Sequence, residues 1–455
     1  MKFKTTIVLF VIFLVLLAFV IFFMPKGKNE KNVEEKLAEF SSDVVQKITL
    51  KKEGETISFQ KDEKEEWLII EPLEAKADRF EVNRLAEDFS DLRIERVVEE
   101  ELKDISKYGI PQKEITLWYK DKSEPLKILI GMENPLDNTF FAKREDEQRI
   151  VLIPSHLKGL LEKKVFDFRK KDILQFETDD VKNIRLRAKE TKWEAKKKED
   201  QWFFKKPVNA LAEKGKIDNI LYSLSNLKAK DFVSEEKNRE EIKKYKLDEA
   251  EYEITLGMPL ANKEVTFTLH KEEDKVYATT SLSTKIIAAE DSVLSDLEKT
   301  AEELREKEVA DFYSWEAYKL HLKKGKLALK LLKDKEDKWR FESQEKDEAD
   351  EGKVMSFIRK IESLEAEEFI DPPLSLKDYG LDKPQAEIKI WTKGDENEEK
   401  AKEITVLIGR EDKKAKKVVV KNSRLDYLFW VDSDFLKELP KEAKDWKIEE
   451  KVRPP

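Results

Sequence analysis

Histidine is the side chain best suited to proton exchange near neutral pH and the commonest metal ligand, and the chain contains three, His156, His270 and His321. None stands four residues from another, so the His-x3-His pair found in zinc sites does not occur. His156 follows Ser155 at an expected helix start, which favours capping or exposure. His321 falls on an outward position of an expected strand. His270, at a strand end, is the one histidine for which pH sensing stays open as an alternative.

The residues that would support thiol or nucleotide chemistry are missing. There are no cysteines, which excludes disulfides, Cys-ligated zinc, iron–sulfur clusters and thiol nucleophiles. The 12 glycines are dispersed, and even Gly380 and Gly394 are more than ten residues apart. This spacing excludes a Rossmann fingerprint, a P-loop and a nucleophile elbow, which need glycines within a few residues of each other.

Acidic and aromatic residues leave two other kinds of site open. With 98 Asp and Glu residues, some pair fits any spacing, so a hydrolase acid pair or a calcium site is not excluded, although no EF-hand motif is present. Trp67, Trp202 and Trp339 could stack on sugar rings, but each begins an apolar stretch, which favours burial in a core. We therefore assign no catalytic or metal-binding residue and expect no cofactor.

Length and charge bound the class of protein. The 455 residues correspond to about three domains of ordinary size. The 89 basic and 98 acidic residues give a net charge of -9, with both signs interspersed. Nucleic-acid binding needs a concentrated excess of Lys and Arg, so nucleic acid is not an expected partner.

The N-terminus carries the strongest targeting signal. Residues 7–24 are 18 consecutive apolar residues, and about 20 helical residues span a membrane. The run ends without the small residues of a cleavage site, so an uncleaved transmembrane anchor is predicted over 1–25, with a linker over 26–43. We expect a single-pass protein of the inner (cytoplasmic) membrane whose bulk is extracytoplasmic. A cytoplasmic domain is the alternative, because lysines flank both ends of the run.

Beyond the linker the sequence repeats itself three times. Trp67, Trp202 and Trp339 are spaced by 135 and 137 residues, and ten residues after each stands an alanine followed by an acid. An apolar ladder with steps of 3, 4 and 3 comes next, as on one face of an α-helix. The three ladders are Val82, Leu85, Phe89 and Leu92; Ile217, Ile220, Leu224 and Leu227; and Val354, Phe357, Ile361 and Leu364.

Later landmarks keep the same register. The first and third copies contain a strand that ends in Leu-Ile-Gly, at Gly131 and Gly409, and His270 takes the place of that glycine in the second copy. A tyrosine also recurs in each copy, at Tyr108, Tyr245 and Tyr379. We take an acid followed by an aromatic residue as the end of each copy: Asp167-Phe168, Asp311-Phe312 and Asp445-Trp446.

Each copy is expected to contain strands, one long helix, further strands and a short helix. Alternating apolar residues, as in 45–50, predict half-buried strands, and the long helix is expected to cover one face of the sheet. The predicted fold class is α+β, with an N-terminal transmembrane helix followed by three tandem homologous sheet-plus-helix repeats of about 135 residues. The predicted boundaries of the repeats are 44–177, 178–313 and 314–455.

These landmarks resemble those of the bacterial family known as domain of unknown function 4340. The resemblance rests on the Trp before each helix start, the Leu-Ile-Gly strand ends, and Tyr379-Gly380-Leu381-Asp382-Lys383-Pro384 with its counterpart Tyr108-Gly109-Ile110-Pro111. In both motifs the glycine is expected at a chain reversal with positive φ. The resemblance implies one N-terminal membrane helix, a large extracytoplasmic part and a link with ABC-type transport components similar to those of gliding-motility systems. It implies no activity.

The expected function is that of a non-enzymatic, membrane-anchored, extracytoplasmic accessory or scaffold protein of the cell envelope, with ABC-type transport components as candidate partners. Two alternatives stay open: a carboxylate-based hydrolase acting on wall or surface polymers, and a ligand-binding receptor subunit. An acid pair in a cleft would favour the enzyme, whereas an exposed apolar patch would favour the accessory protein.

Overall fold

Three antiparallel sheets of one design dominate the described part of the chain. The computed structural model describes residues 35–101, 103–120, 122–372, 374–393 and 402–448, and each sheet within them has nine strands. The order of the first sheet is β4-β3-β2-β1-β6-β7-β8-β9-β5, and the other two sheets repeat this order with their own strands. The threefold tandem repeat predicted from the sequence is confirmed.

Each sheet takes its nine strands from one continuous stretch of the chain. The first sheet contains β1 (Val45–Lys52), β2 (Glu55–Lys61), β3 (Trp67–Glu71), β4 (Ala75–Lys76), β5 (Arg96–Glu99), β6 (Lys113–Tyr119), β7 (Leu126–Glu133), β8 (Phe140–Arg144) and β9 (Ile150–Ile153). The second contains β10 (Asn183–Ala188), β11 (Thr191–Lys198), β12 (Gln201–Lys206), β13 (Ala210–Ala212), β14 (Ala229–Ser234), β15 (Tyr252–Met258), β16 (Lys263–Glu272), β17 (Lys275–Thr280) and β18 (Ile286–Ala289). The third contains β19 (Ala317–Lys324), β20 (Leu327–Lys333), β21 (Trp339–Phe341), β22 (Gln344–Glu348), β23 (Glu368–Ile370), β24 (Ala386–Thr392), β25 (Lys402–Asp412), β26 (Lys417–Asn422) and β27 (Leu428–Asp432).

One helix of 12 residues follows the fourth strand of each sheet. These helices are α1 (Arg79–Ser90), α2 (Lys214–Ser225) and α3 (Glu351–Glu362). Shorter helices are Lys158–Leu161, Val165–Phe168, Arg239–Lys244, Ser292–Leu297 and Ala301–Leu304. Short 3-10 helices are Ser42–Val44, Ile105–Tyr108, Ser155–Leu157, Thr178–Asp180, Leu247–Glu249, Pro259–Ala261, Ser314–Glu316, Ser433–Glu438 and Ala443–Trp446.

The predicted α+β class is wrong, because strands clearly outweigh helices: 42% of the structure is strand and 23% is helix. In the first copy, seven of the nine strands correspond to strand signals in the sequence, at 45–50, 56–59, 67–70, 115–119, 126–130, 139–143 and 150–153. The two that it does not indicate, β4 and β5, are two and four residues long. β4 is too short to show any pattern, and β5 has only two apolar residues, Val97 and Val98, which stand side by side and do not alternate with polar ones. The two strands nevertheless form the two edges of the sheet.

The single-pass membrane localisation also requires correction. Within the residues that the structure describes, no helix is long and apolar enough to cross a membrane. The predicted anchor over 1–25 and its apolar run at 7–24 lie outside those residues.

The long helix of each copy connects opposite edges of its sheet. The chain leaves the edge strand β4, passes through α1 and enters β5, which pairs with β9 at the other edge. The apolar ladder of α1 is buried against the sheet, as are those of α2 and α3. The acid before α1 caps it, since the carboxylate of Asp78 accepts the backbone N–H groups of Phe80 and Glu81.

A short segment before each sheet belongs to its repeat. Leu37 and Ala38, within the predicted linker, are buried in the first core. Three isolated antiparallel bridges join these segments to the residues after the long helices: Lys36 to Arg93, Asp172 to Lys228, and Glu308 to Glu365.

These segments correct one sequence landmark. Phe312 lies 136 residues after Phe176 and 272 after Phe40, so Asp311-Phe312 opens the third copy and does not close the second. The closing position of the second copy is held by Leu304, because Arg305 bridges Ala212 there. In the first and third copies Arg169 bridges Ala77 and Lys447 bridges Ala349 in the same way.

The chain divides into two compact units. Residues up to Lys171 form one unit with the first sheet, and residues from Asp172 form the other with the second and third sheets.

Within the second unit, Arg305 joins the two repeats. Its side chain is fully buried, and one guanidinium nitrogen donates to Oδ2 of Asp371 at 2.9 Å while the other lies 2.9 Å from Oδ1. The guanidinium carbon lies 3.8 Å from the ring centre of Phe369 and 4.5 Å from that of Tyr427. The hydroxyl of Tyr427 accepts the N–H of Leu211 at 3.4 Å. A residue of the second repeat is thus enclosed by three residues of the third.

Candidate functional site

The three landmark tryptophans lie inside the repeats. Trp67, Trp202 and Trp339 are at most 3% exposed, so their rings do not present a face to a sugar. Trp67 donates from Nε1 to Oδ1 of Asn83 at 2.7 Å, and Trp202 donates to Oδ1 of Asp218 at 3.4 Å.

The third tryptophan lacks the acceptor that the other two have. Met355 stands 16 residues after Trp339, where the first two copies carry Asn83 and Asp218. The buried Nε1 of Trp339 has no hydrogen-bond partner among the described residues. The indole therefore carries an unsatisfied donor in the third core.

The tyrosine and glycine landmarks form one structural motif. Gly109 and Gly380 have positive φ angles of 61° and 67°, and Lys246 adopts the same left-handed conformation in the second copy, with φ at 52°. A Cβ on Gly131 would lie 2.1 Å from the carbonyl oxygen of Tyr108. A Cβ on Gly409 would lie 2.3 Å from that of Tyr379. The motif thus brings a turn and a strand end into backbone contact.

In the second copy, the hydroxyl of Tyr245 donates to the carbonyl oxygen of Val233 at 3.1 Å. His270 replaces the strand-end glycine in the same copy and has a buried Nδ1 with no hydrogen-bond partner in the described structure.

The other two histidines occupy unrelated positions. His156 is exposed in a 3-10 turn. His321 lies on the outer face of the third sheet, with Nε2 3.1 Å from Oε1 of Glu342 and its ring 4.7 Å from that of Trp391. The described residues contain no group of three or more His, Asp or Glu placed to hold a metal ion.

A site does appear where the second copy departs from the other two. On the sheet face opposite the core, Lys47 lies across from Trp118, with 4.9 Å between Nζ and the ring centre. Lys319 and Trp391 repeat this pair at 5.0 Å. The corresponding residues of the second sheet are Asn183 and Gly257. Losing two large side chains leaves an opening on this outer face.

The opening is a groove of two connected cavities, which we call the outer groove. A cavity of about 280 Å³ contains Asn183 and Gly257, and an adjoining cavity of about 600 Å³ reaches Pro207. Arg185, Glu194 and Thr255 line both. The cations of the outer groove are Arg185, Arg187, Lys192, Lys196, Lys205 and Lys206, and its carboxylates are Glu194, Glu253 and Glu264.

The outer groove has three more cations than carboxylates in a chain whose net charge is -9. Three of its cations form exposed ion pairs: Arg185 with Glu264, Arg187 with Glu253 at 3.1 Å, and Lys206 with Glu194 at 2.8 Å. Exposed pairs contribute little stability, so a ligand's carboxylates can exchange with them at small cost.

Two further cations of the groove, Lys192 and Lys196, have no carboxylate within 4 Å in the described part of the chain. Both are exposed on β11. The groove is thus chemically suited to bind an acidic ligand.

The signal for this site is present in the sequence but needs the correct repeat register. The copies align at Trp118, Gly257 and Trp391, and only this alignment shows that a tryptophan is missing from the second copy. None of the residues of the outer groove is among those predicted from the sequence.

Fold and groove together define a class: a tandem β-sheet repeat protein in which one copy carries an open charged groove. The chain belongs to the family described as Domain of unknown function (DUF4340), whose model matches residues 67–233, 202–374 and 339–450. No curated protein matches the sequence.

Similarity to solved structures is low. The crystal structure of the DNA polymerase sliding clamp from Pseudomonas aeruginosa is 10% identical, with a TM-score of 0.16 over 87% of this chain and 93% of that chain. The same clamp with ligand gives 10% identity and a TM-score of 0.16 over 88% and 95%. Scores this low carry no argument about fold or function.

Proposed function

We propose that the protein is a non-enzymatic accessory or scaffold protein whose second repeat binds an acidic segment of a partner protein in the outer groove. The observation that carries this proposal is the replacement of the Lys–Trp pair of the other copies by Asn183 and Gly257, which opens a cationic groove on an otherwise acidic chain. The first and third repeats then serve as closed units of the same scaffold.

The ion pairs inside the groove support the choice of an acidic protein segment. Arg185 and Arg187 already bind glutamates of the neighbouring strands, so their side chains are placed to bind the carboxylates of a ligand. Neighbouring strands lie about 4.8 Å apart, which lets an extended acidic peptide cross several of them. A component of an ABC-type transport system is the partner that the family resemblance suggests, and it forms part of this proposal.

A receptor for a small ligand is the second candidate. The two cavities of the groove, at about 280 and 600 Å³, are in the size range of small-molecule sites. A receptor would bind a single small acid as tightly as it binds an acidic peptide, whereas a scaffold protein would bind only the longer peptide tightly.

The test restores the missing pair. In the double variant Asn183→Lys/Gly257→Trp, the second sheet carries the residues of the other two copies, and the indole fills the smaller cavity. We expect affinity for a fluorescein-labelled poly-glutamate peptide to fall about tenfold or more, or 1.4 kcal/mol, as measured by fluorescence anisotropy. The added lysine would raise affinity if net charge alone controlled binding, so a loss of affinity would identify the outer groove as the place where the peptide binds.

The matched control is the reciprocal variant Lys47→Asn/Trp118→Gly in the first sheet, which should leave binding by the second sheet unchanged. Raising the salt concentration should weaken the wild-type complex, because the exposed charges are screened. Equal affinity of wild type and Asn183→Lys/Gly257→Trp, with both folded by circular dichroism, would show that the groove does not bind the peptide. Glutamate competing as well as the peptide at equal concentration of carboxylates would favour the receptor.

A further inference from the structure

A second feature of the second repeat is a small pocket on the outer sheet face, beyond the outer groove. In the third copy, Leu407 packs there with Leu381 and Tyr379 in a small apolar cluster. The strand-end alignment places Leu129 and Thr268 at the same position in the first and second copies. Threonine is smaller than leucine and polar, and a pocket of about 180 Å³ lies beside it.

The pocket has an apolar wall and a polar floor. Ile242, in the short helix Arg239–Lys244, and Leu247 form the wall. Thr266, Thr268, Thr279 and Ser281 of the sheet region supply hydroxyl groups. By volume the pocket holds about six water molecules at liquid density, at about 30 Å³ each, so a group of the size of a phosphate or a carboxylate fits.

Lys237 provides the positive charge of this pocket. Its Nζ donates to the carbonyl oxygen of Thr280 at 2.7 Å, and burial lowers the pKa of its ammonium group. No carboxylate of the described residues lies within ion-pairing distance of Lys237, although Glu235 pairs with Lys285 close by. The pocket thus contains a half-buried cation that is not neutralised by the protein.

The other copies place a cation at this site in a different way. Lys143 pairs across from Leu129 and Lys421 across from Leu407, whereas Thr279 pairs across from Thr268. In the second copy the lysine comes instead from position 237, and both facing residues are threonines. The charge is kept while the apolar cover is replaced by hydroxyl groups.

Two hydroxyl groups are free to donate into the pocket. The hydroxyl oxygen of Ser281 accepts the N–H of Thr266 at 3.1 Å, which leaves the hydroxyl proton of Ser281 available. The hydroxyl of Thr268 makes no hydrogen bond to any of the described residues. Hydrogen bonds from charged and neutral donors together are the usual means of holding an oxyanion. We propose that Lys237, Thr268 and Ser281 bind a single oxyanion, the phosphate or carboxylate group of a small ligand. This site is separate from the outer groove and does not depend on the proposed function.

The test uses the reactivity of Lys237 in the full chain. Acetic anhydride is added in limiting amount, and acetylation of Lys237 is followed by peptide mass spectrometry, with exposed Lys275 as the internal reference. Inorganic phosphate or propionate is the probe, and sodium chloride at equal ionic strength is the control. At ten times the dissociation constant, a bound anion should slow acetylation of Lys237 about tenfold relative to Lys275.

Two variants identify the pocket as the origin of protection. Thr268→Leu carries the residue of the other copies and should abolish protection by filling the pocket, while Thr268→Val keeps the volume and should reduce it by removing one donor. Asn183→Lys/Gly257→Trp should leave protection intact, which distinguishes this site from the groove. Protection by phosphate alone or by propionate alone identifies the ligand class. The proposal is overturned if chloride protects equally, if neither anion protects, or if Thr268→Leu is protected like the wild type.

Discussion

The contact between Arg305 and the third repeat allows a specific prediction about stability. Replacing Arg305 by alanine removes a fully buried guanidinium, its two contacts with Asp371, and its stacking on Phe369 and Tyr427. Breaking one partner of a buried ion pair costs about 3–5 kcal/mol. The side chain of Asp371 is 30% exposed, so water solvates the carboxylate left behind, and we expect about 3 kcal/mol.

Thermal unfolding of the full chain measures this effect. For a unit the size of residues 172–455, an unfolding entropy of about 2.1 cal/mol/K per residue converts a loss of about 3 kcal/mol into a fall in Tm of about 5 °C. The transition that contains the second and third sheets should move, and the one that contains the first sheet should not, because Arg305 lies outside the first unit. Arg185→Ala, which removes an exposed arginine paired with Glu264, serves as the control and should change stability by less than about 0.5 kcal/mol.

A double-mutant cycle separates the ion pair from the packing of the arginine. Arg305→Met/Asp371→Leu replaces the pair by apolar residues, which is often neutral or stabilising for buried pairs. We expect the double variant to lose less stability than the sum of Arg305→Met and Asp371→Leu, with a coupling of about 1–3 kcal/mol. If Arg305→Ala unfolds within about 1 kcal/mol of the wild type, the idea that this contact holds the two repeats together is refuted.

Three further predictions concern single groups. Met355→Asn should supply Trp339 with the hydrogen-bond acceptor that Asn83 gives Trp67 and raise the free energy of unfolding by about 1 kcal/mol in urea titration. A free energy of unfolding below that of the wild type would show that Met355 packs too well to replace. Gly131→Ala should lower the free energy of unfolding by about 1–3 kcal/mol in the same titration, because its Cβ would overlap the carbonyl oxygen of Tyr108. Gly159→Ala, with open space around it, should leave the free energy of unfolding unchanged or raise it. Equal effects of the two substitutions would contradict this. Burial raises the pKa of Tyr119 to about 12, above its unfolded value of about 10, so its contribution to stability is complete below pH 10 and is lost as the pH rises towards 12. Tyr119→Phe should lose less stability than the wild type over that interval, and parallel curves would assign the pH dependence to other groups.

The sequence predicts the helices and most of the strands of this fold better than it predicts which strands pair with each other. The ladder that begins at Val82 identifies α1 because helical spacing is a local property, and the three tryptophans define the repeat because the same core recurs. The short strands β4 and β5 are not predictable in this way. β4 has only two residues, and β5 is a strand because it pairs with β9, which is distant in the sequence. The assignment of Asp311-Phe312 to the end of the second copy is wrong for a similar reason: its position depends on the contact between the segments around Glu308 and Glu365.

The candidate sites show the same limit. Gly257 is informative only when it is placed beside Trp118 and Trp391, and that comparison requires the strand register. Lys237 is one of many lysines in the sequence, and only the structure shows that its ammonium group lies in a pocket with Thr268 and without a carboxylate. Motifs of a few residues would not have revealed either site, because each combines residues from several strands.

The crossing of each sheet by its long helix has a consequence for biosynthesis. In the first repeat β5 pairs with β9, so that Arg96 meets Leu152, and β1 pairs with β6, so that Ile48 meets Leu117. Such pairings between distant residues form slowly. During translation, the ribosome must release the whole of β9 before the sheet can close. Until then β5 has no partner strand, and unpaired strand edges associate with other strands. All three repeats use one strand order, so a strand of the next copy can pair with an unpaired edge of an unfinished sheet. Completing each sheet before the next copy is translated prevents this exchange of strands between repeats.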